Sequence, residues 1–119
     1  MSRQKVIEYI EHHCGALPEY PWRQYPHYAV FRHPKKAKWF AVIMDVELSK
    51  LTQDSQNSKI VDIINLKVLP EISGSLRLKK GVYPAYHMNK EHWVSIVLDE
   101  DFEEAQLYTL IHDSYDLIK

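Results

Sequence analysis

The residues best suited to chemistry are concentrated in residues 83–93, which read YPAYHMNKEHW. If Asn89 and Lys90 form a two-residue turn, His87 and His92 become cross-strand neighbours, and two imidazoles so placed could share a metal ion. A closed zinc site usually has four ligands, and no third ligand is evident, so we expect neither a metal nor another cofactor. The alternative is a structural hairpin in which the asparagine forms the turn and the tryptophan fills the core.

Two groups of cations, neither interrupted by an acidic residue, point to a different chemistry, which is the binding of nucleic-acid phosphates. One group lies within residues 32–38 and the other within residues 77–80. Phosphate contacts are predicted for Lys35, Lys36, Lys38, Arg77, Lys79, Lys80 and Lys90. The alternative interpretation is that these are ordinary solvated loop cations.

The tip of the predicted hairpin is the part that could enter a groove of DNA. His87, Asn89 and His92 would lie at or beside this tip. Base stacking requires flat groups, and Tyr86 and His87 are the candidates, because the tryptophans are more often core residues. The sequence offers no recognition helix rich in Arg, Asn and Gln, so the predicted sequence preference is weak.

The charge of the chain is close to neutral but unevenly distributed. Fifteen Lys and Arg face 16 Asp and Glu, for a formal net charge of −1, which excludes a strongly basic nucleic-acid binder. Residues 99–119 contain seven acids and one base, so residues 1–98 carry +5. A molecule with such a dipole can still bind a polyanion on its positive side.

Motifs of the common enzyme classes are missing from the sequence. There is no Gly-x-Ser-x-Gly elbow and no His-Glu-x-x-His motif, and the three glycines are scattered. The single cysteine, Cys14, lies on the apolar side of a predicted helix, where a thiol acts as a small hydrophobe. We therefore expect no catalytic activity.

Length and composition favour one soluble domain spanning residues 1–119. No apolar run approaches the roughly 20 residues that span a bilayer, and no signal peptide is visible at the N-terminus. One cysteine cannot form an intrachain disulfide. We expect a cytoplasmic protein without membrane contact, either a monomer or a weak homodimer.

Periodicity and turn residues predict the elements that would position these side chains. A first helix is predicted from the Ser2 cap to the Gly15 stop, a short helix over Glu71–Leu78 that Pro70 can start, and a last helix capped by Asp101. Strands are predicted over 28–32, 38–46, 59–66, 82–88 and 93–98, with an irregular aromatic loop over 17–26 and a mobile polar loop over 47–58. The order α-βββ-α-ββ-α indicates an α+β fold in two layers, an antiparallel five-stranded sheet with helices on one face.

The second predicted strand is apolar on both sides. Alternation assigns Phe40, Val42, Met44 and Val46 to one face and Trp39, Ala41 and Ile43 to the other. This pattern fits a central strand, or a strand whose outer face is covered by something else. It supports an alternative function, a protein-interaction or chaperone-like domain that binds a partner or a second copy through the sheet. A small-molecule site under the hairpin is a third possibility.

Residues 86–96, YHMNKEHWVSI, closely resemble the signature hairpin of the MmcQ/YjbR family. Residues 111–117 resemble its closing helix and residues 38–41 its central strand. The resemblance implies a CyaY-like (frataxin-like) fold and a "double wing" DNA-binding protein. Carried over by position from the hairpin of that family, His87, Asn89, Lys90 and His92 are the site residues that the resemblance implies.

Two departures from the family pattern accompany the resemblance. The insert over 47–59 is longer than the usual connection, and the acidic last helix lowers the net charge. The leading hypothesis is nonetheless a small non-catalytic module that binds DNA through the basic loops and the 86–93 hairpin.

Overall fold

The computed structural model describes residues 1–52, 56–98 and 102–119. Its elements, in chain order, are α1 (Arg3–Cys14), β1 (Ala29–Arg32), β2 (Trp39–Glu47), α2 (Ser49–Thr52), β3 (Ile60–Lys67), α3 (Pro70–Leu76), β4 (Val82–Pro84), β5 (Trp93–Val97) and α4 (Glu104–Asp116). The predicted α+β class is confirmed, with the helical turn α2 as an addition. Within the three ranges, no helix is both long and apolar enough to cross a membrane.

The five strands form one antiparallel sheet in the order β1-β2-β3-β5-β4. α1, α3 and α4 pack on one face, where the buried cluster includes Val6, Leu76 and Ile111. The second face has its own apolar cluster, which includes Val42. The predicted arrangement of an antiparallel sheet with the helices on one face is confirmed, and the short α2 contributes Leu51 to the second face.

Local capping chemistry ends α1 as predicted. The Ser2 hydroxyl accepts a hydrogen bond from the Lys5 N–H at 3.2 Å. Gly15 adopts a φ of 67°, and its N–H donates to the Glu11 carbonyl. A glycine takes this left-handed conformation without the steric penalty of a Cβ atom.

The two other helices on this face differ from the prediction at one end each. α3 begins at Pro70 as predicted, but it ends at Leu76 instead of Leu78. α4 begins at Glu104, and the residue before it makes no side-chain capping hydrogen bond. The predicted cap, Asp101, lies outside the described residues.

The alternation predicted for β2 is wrong at two residues. Phe40 lies on the helix face with Ala41, and Trp39 packs on the second face with Val42. The register with β1 shifts here: Trp39 and Ala41 pair with consecutive β1 residues, so Phe40 has no partner. Such a bulge turns two successive residues toward one face. Ser114 of α4 stabilises it, because its hydroxyl donates to the Phe40 carbonyl and accepts from the Lys67 N–H.

The stretch 47–58, predicted as a mobile loop, contains the helical turn α2. Leu51 anchors this turn, since its side chain is 8% exposed and packs on the second face. At the base of the segment the Leu48 N–H donates to the Lys59 carbonyl at 2.8 Å. One apolar residue in a polar stretch has no periodicity, which is why the sequence did not predict the turn. Residues 53–55 of this stretch lie outside the described ranges.

The predicted two-residue turn between the last strands is wrong. β4 comprises Val82–Pro84, and residues 85–92 form a longer loop before β5. Asn89 acts through its side chain, whose Oδ1 accepts hydrogen bonds from two backbone N–H groups of the loop at 2.8 and 3.1 Å. The positive φ, 58°, occurs at His87 instead. His87 and His92 are therefore not cross-strand neighbours.

Candidate functional site

Two loops that carry predicted site residues leave the sheet from the same end. One is the β1–β2 loop, residues 33–38, and the other is the β4–β5 loop, residues 85–92. The start of β2 pairs with the end of β3, and the end of β3 pairs with the start of β5. Both loops must therefore lie at this end of the antiparallel sheet. We call these two segments the two-loop end.

Seven of the ten predicted site residues belong to the two-loop end. All seven have exposed side chains: Lys35, Lys36, Lys38, His87, Asn89, Lys90 and His92. The sheet order places them in two groups on either side of β3. The remaining three are elsewhere.

The second predicted basic cluster lies at the other end of the sheet. Arg77, Lys79 and Lys80 belong to the turn that leads from α3 into β4. The first residue of β4, Val82, pairs with Ile96 near the end of β5, whereas the β4–β5 loop precedes the start of β5. The structure thus divides the predicted phosphate contacts into two separate groups.

A buried histidine shapes the β1–β2 loop. His33 is 8% exposed, and its Nδ1 accepts hydrogen bonds from the backbone N–H groups of Lys35 and Lys36 at 3.1 and 3.3 Å. The imidazole stacks on Tyr115 of α4, with centroids 4.3 Å apart. The loop closes through Ala37, which adopts a φ of 59°. His33 therefore orients the basic loop against the last helix.

Two lysines of this loop also contact the segment that follows α4. Lys36 Nζ donates to the Ile118 carbonyl at 3.3 Å, and Lys38 Nζ donates to a main-chain oxygen of Lys119 at 2.7 Å. An ammonium group has three N–H donors, so each lysine can bind a further acceptor. Two of the ammonium groups of the loop nevertheless already make hydrogen bonds within the protein.

The β4–β5 loop is held by its own side chains. Lys90 Nζ donates to the Ala85 carbonyl at 2.9 Å, and Asn89 caps the turn before β5. These bonds give both residues a structural role. His87 and His92 have exposed side chains at the surface of the loop.

A buried polar network beneath this loop was not predicted. Asn65 of β3 and Ser95 of β5 are paired, and both are 0% exposed. Asn65 Nδ2 donates to the Tyr86 carbonyl at 2.9 Å, and the Tyr86 N–H donates to Ser95 Oγ at 2.9 Å. The Ser95 hydroxyl donates to Asn65 Oδ1, which closes the ring. The network fixes the backbone of Tyr86, and its sequence signal is a polar residue at the centre of each apolar strand.

The β4–β5 loop and the long α1–β1 connection enclose a pocket of about 260 Å³ on the second face of the sheet, which we call the aromatic pocket. It is lined by Trp22, Tyr25, Tyr28, Trp39, Val42, Met44, Tyr86, His87 and Met88. Val42 and Met44 form its floor and are 2% and 4% exposed. Trp39 is half-buried and forms a wall, although we expected it in the core. The predicted stacking residues, Tyr86 and His87, form another wall.

Two successive turns in the α1–β1 connection direct its aromatic residues into this pocket. The Tyr25 N–H donates to the Trp22 carbonyl at 3.2 Å, and the Tyr28 N–H donates to the Tyr25 carbonyl at 3.1 Å. Pro26 follows Tyr25, at the position where its fixed φ favours a turn. The prediction of an irregular loop is confirmed, and Trp22 and Tyr25 pack on the domain as expected, whereas Tyr20 is 52% exposed.

The rings of the aromatic pocket meet at steep angles. The Trp22 ring lies at 86° to Trp39, with centroids 5.7 Å apart, and at 80° to Tyr28, with centroids 6.0 Å apart. Tyr25 stacks on Tyr28 with centroids 4.7 Å apart. The walls therefore form a corner instead of a parallel slot.

Two carboxylates lie close enough to affect the phenols of the pocket. Burial raises the pKa of Tyr28, and Tyr86, Asp45 and Tyr25 raise it further. The pKa of Tyr86 is also raised by burial, with smaller effects from Tyr25 and Glu47. Both phenols are therefore neutral at physiological pH.

Among the described residues, the lining of the pocket contains no lysine or arginine. The guanidinium of Arg32 lies 5.8 Å from the centre of the Trp39 ring, but it forms an ion pair with Glu19 at 3.0 Å. Among the residues in the three described ranges, no group of three or more His, Cys, Asp or Glu could hold a metal ion.

Comparisons with known proteins agree with this fold. The sequence matches the YjbR family profile over residues 14–117. It is 42% identical over 119 residues to YyaQ of Bacillus subtilis (strain 168), covering 100% of this chain and 99% of that protein. It is 34% identical over 80 residues to YjbR of Escherichia coli (strain K12), 65% of each chain. A crystal structure of a Pseudomonas syringae protein superposes with a TM-score of 0.94 at 44% identity, covering 100% of both chains. The chain therefore belongs to the YjbR family.

Proposed function

We propose that the protein is a non-catalytic module that binds DNA at the two-loop end. The observation that supports this function best is that two separate hairpin loops, both bearing exposed lysines, leave the sheet at one end. Lysines at that position can contact phosphates on a duplex, while the exposed His87 and Asn89 reach toward a groove.

We expect the protein to bind DNA with moderate affinity and with only a weak preference for sequence. Backbone contacts carry no sequence information, and the loops offer few groups that read base edges. Lys36 and Lys38 each have one N–H donor engaged within the protein. Phosphate contacts therefore compete only in part with existing hydrogen bonds.

Arg77 and Lys79 provide a matched control for this proposal, because they lie at the other end of the sheet. Replacing Lys35 and Lys36 by Gln removes two positive charges from the two-loop end. Replacing Arg77 and Lys79 by Gln removes the same charge from the far end. A difference between the two double variants separates a local interface from an effect of net charge.

The test is a fluorescence anisotropy titration of short duplex DNA at several salt concentrations. Each phosphate contact contributes about 0.9 to the slope of log affinity against log salt. The Lys35→Gln/Lys36→Gln variant should bind more weakly, with a slope reduced by about two, and the Arg77→Gln/Lys79→Gln variant should match the parent protein. Absence of binding at low salt, or equal losses in both variants, would contradict the proposal.

Partner binding is the second candidate, and exposed apolar residues around α3 favour it. Leu69, Ile72 and Leu78 are 47%, 40% and 86% exposed. The second face of the sheet is a weaker candidate surface, since Val42 and Met44 are already covered by the chain itself. Sedimentation as a monomer at high concentration would count against a homodimer, and a dimer dissociated by Leu78→Gln would favour it.

A further inference from the structure

We propose that the aromatic pocket is a binding site for a small organic cation, with a methylated or quaternary ammonium group as the part that enters. This proposal goes beyond the DNA interface proposed above: the pocket shares Tyr86, His87 and Met88 of the β4–β5 loop with the two-loop end, but none of its lysines. It is lined by residues of the α1–β1 connection, β2 and the β4–β5 loop. No basic-loop residue of 33–38 belongs to its lining.

The arrangement of rings is the first argument. A cation is attracted to the face of an aromatic ring, most strongly to that of tryptophan, and several rings meeting at large angles surround a cation better than parallel rings do. Trp22 stands nearly perpendicular to both Trp39 and Tyr28. Tyr25 and Tyr86 complete the set of five aromatic rings in the lining, besides the imidazole of His87.

Charge is the second argument. Within the described part of the chain, the lining contains no lysine or arginine that would repel a cation. Asp45 and Glu47 belong to β2, the strand that supplies the pocket floor, and affect the pKa of the pocket phenols less than burial does. The guanidinium of Arg32 is paired with Glu19. His87, at the mouth, is the one imidazole among the described residues of the lining. An anion would find no cationic partner inside the pocket.

Size and accessibility limit what can enter. An apolar cavity of about 150 Å³ is enough to bind benzene, so a pocket of about 260 Å³ accommodates an ammonium group with its methyl substituents. The pocket opens to solvent beside Tyr25, which is 49% exposed, and beside the exposed His87. The floor at Val42 and Met44 is apolar, which suits methyl groups and not a bare, strongly hydrated ion.

The walls are held in place before any ligand binds. Consecutive turns position Trp22, Tyr25 and Tyr28, while the network of Asn65 and Ser95 fixes the backbone of Tyr86. A preorganised site loses less conformational entropy on binding. The structure thus meets the requirement for a small ligand to bind without a large rearrangement.

The test compares choline with 3,3-dimethyl-1-butanol, which has the same shape but no charge. The intact protein is titrated with each compound, and binding is followed by tryptophan fluorescence and by the ring-current shift of the ligand methyl protons. We expect saturable binding of choline in the millimolar range or tighter, and binding of the neutral analogue at least about tenfold weaker. Equal binding of both compounds, or no saturable response to choline, would overturn the proposal.

Variants locate the site. Trp22→Leu should weaken choline binding about tenfold, as measured by the ligand methyl signal. Tyr25→Leu should weaken it about threefold, and Tyr20→Leu, which is similarly exposed but not in the lining, should have no effect. If circular dichroism shows that Trp22→Leu does not fold, the comparison of Tyr25→Leu with Tyr20→Leu still tests whether choline binds in the aromatic pocket. Equal behaviour of that pair would overturn the assignment, and the Lys35→Gln/Lys36→Gln variant should bind choline normally.

Discussion

Single polar residues buried within the sheet determine where the exposed site residues lie. Tyr86 could be recognised from the sequence as a flat group near cations, but Asn65 and Ser95 could not be recognised as its supports. Their roles depend on the register that pairs β3 with β5. A buried polar group without a partner costs about 1–3 kcal/mol, so this register and the position of Tyr86 stabilise each other.

Ser95→Ala tests the contribution of this network. The substitution leaves the Tyr86 N–H and one acceptor of Asn65 without a partner. We expect the free energy of unfolding, measured by urea denaturation, to fall by about 1–3 kcal/mol. Choline binding should also weaken, because the Tyr86 wall is no longer fixed.

Ser75→Ala serves as the control for this prediction. Ser75 is exposed and its hydroxyl donates to the Ile72 carbonyl. Its replacement should change stability by no more than about 0.5 kcal/mol. If Ser95→Ala were as mild as Ser75→Ala, the network would not hold the loop as described.

At the scale of helices and strands, features set by neighbouring residues could be predicted and features set by distant ones could not. Ser2 and Gly15 end α1 through bonds within one turn of the helix, so their types identified the boundaries. The bulge at Phe40 depends on Ser114, 74 positions away. No local sequence pattern indicates such a contact. For this reason the predicted assignment of β2 residues to the two faces of the sheet was wrong at the bulge.

Replacing each of two glycines by alanine is predicted to change the stability of the protein in opposite directions. Gly15 has a φ of 67°, and a Cβ there would be 3.9 Å from its nearest neighbour, so Gly15→Ala should cost about 1–2 kcal/mol from backbone strain alone. Gly74 lies inside α3 with open space around it. Gly74→Ala should therefore stabilise the protein by about 0.5–1 kcal/mol.

Thermal unfolding of both variants measures this pair of effects. The midpoint should fall for Gly15→Ala and rise for Gly74→Ala relative to the parent protein. Changes of the same sign would contradict either the left-handed conformation of Gly15 or the open surroundings of Gly74 in α3.

For the whole molecule, the order of strands decides which charges share a surface. The sequence identified the cations, but only the sheet order separates Arg77, Lys79 and Lys80 from the two-loop end. The fold also determines which cations lie near the acidic residues of the C-terminal part. Glu104 at the start of α4 pairs with Lys5 of α1 at 3.1 Å, so the two terminal helices offset part of each other's charge.

The packing of α1 on α4 predicts a loss of stability in alkali. Tyr9 stacks on Tyr108 with centroids 3.6 Å apart. Burial, together with the hydrogen bond and charge of Glu104, raises the pKa of Tyr108 to about 12. Because the folded protein holds this proton more tightly than the unfolded chain, the contribution is complete below the usual pKa of 10.0 and is lost as pH rises to about 12.

The check is urea denaturation at a series of pH values from neutrality to the alkaline range. The parent protein should lose stability more steeply above pH 10 than Tyr108→Phe, which has no phenol to titrate at this position. Parallel curves for the two proteins would contradict this account of the interface.

The central claim, that the two-loop end contacts DNA, is tested most directly by an amide NMR titration of the isotope-labelled protein with short duplex DNA. The account predicts that the largest shift changes occur within residues 33–38 and 85–92 and diminish as salt is added. The amides of residues 77–80 should hardly move. Changes centred on residues 77–80, or no changes at low salt, would contradict it.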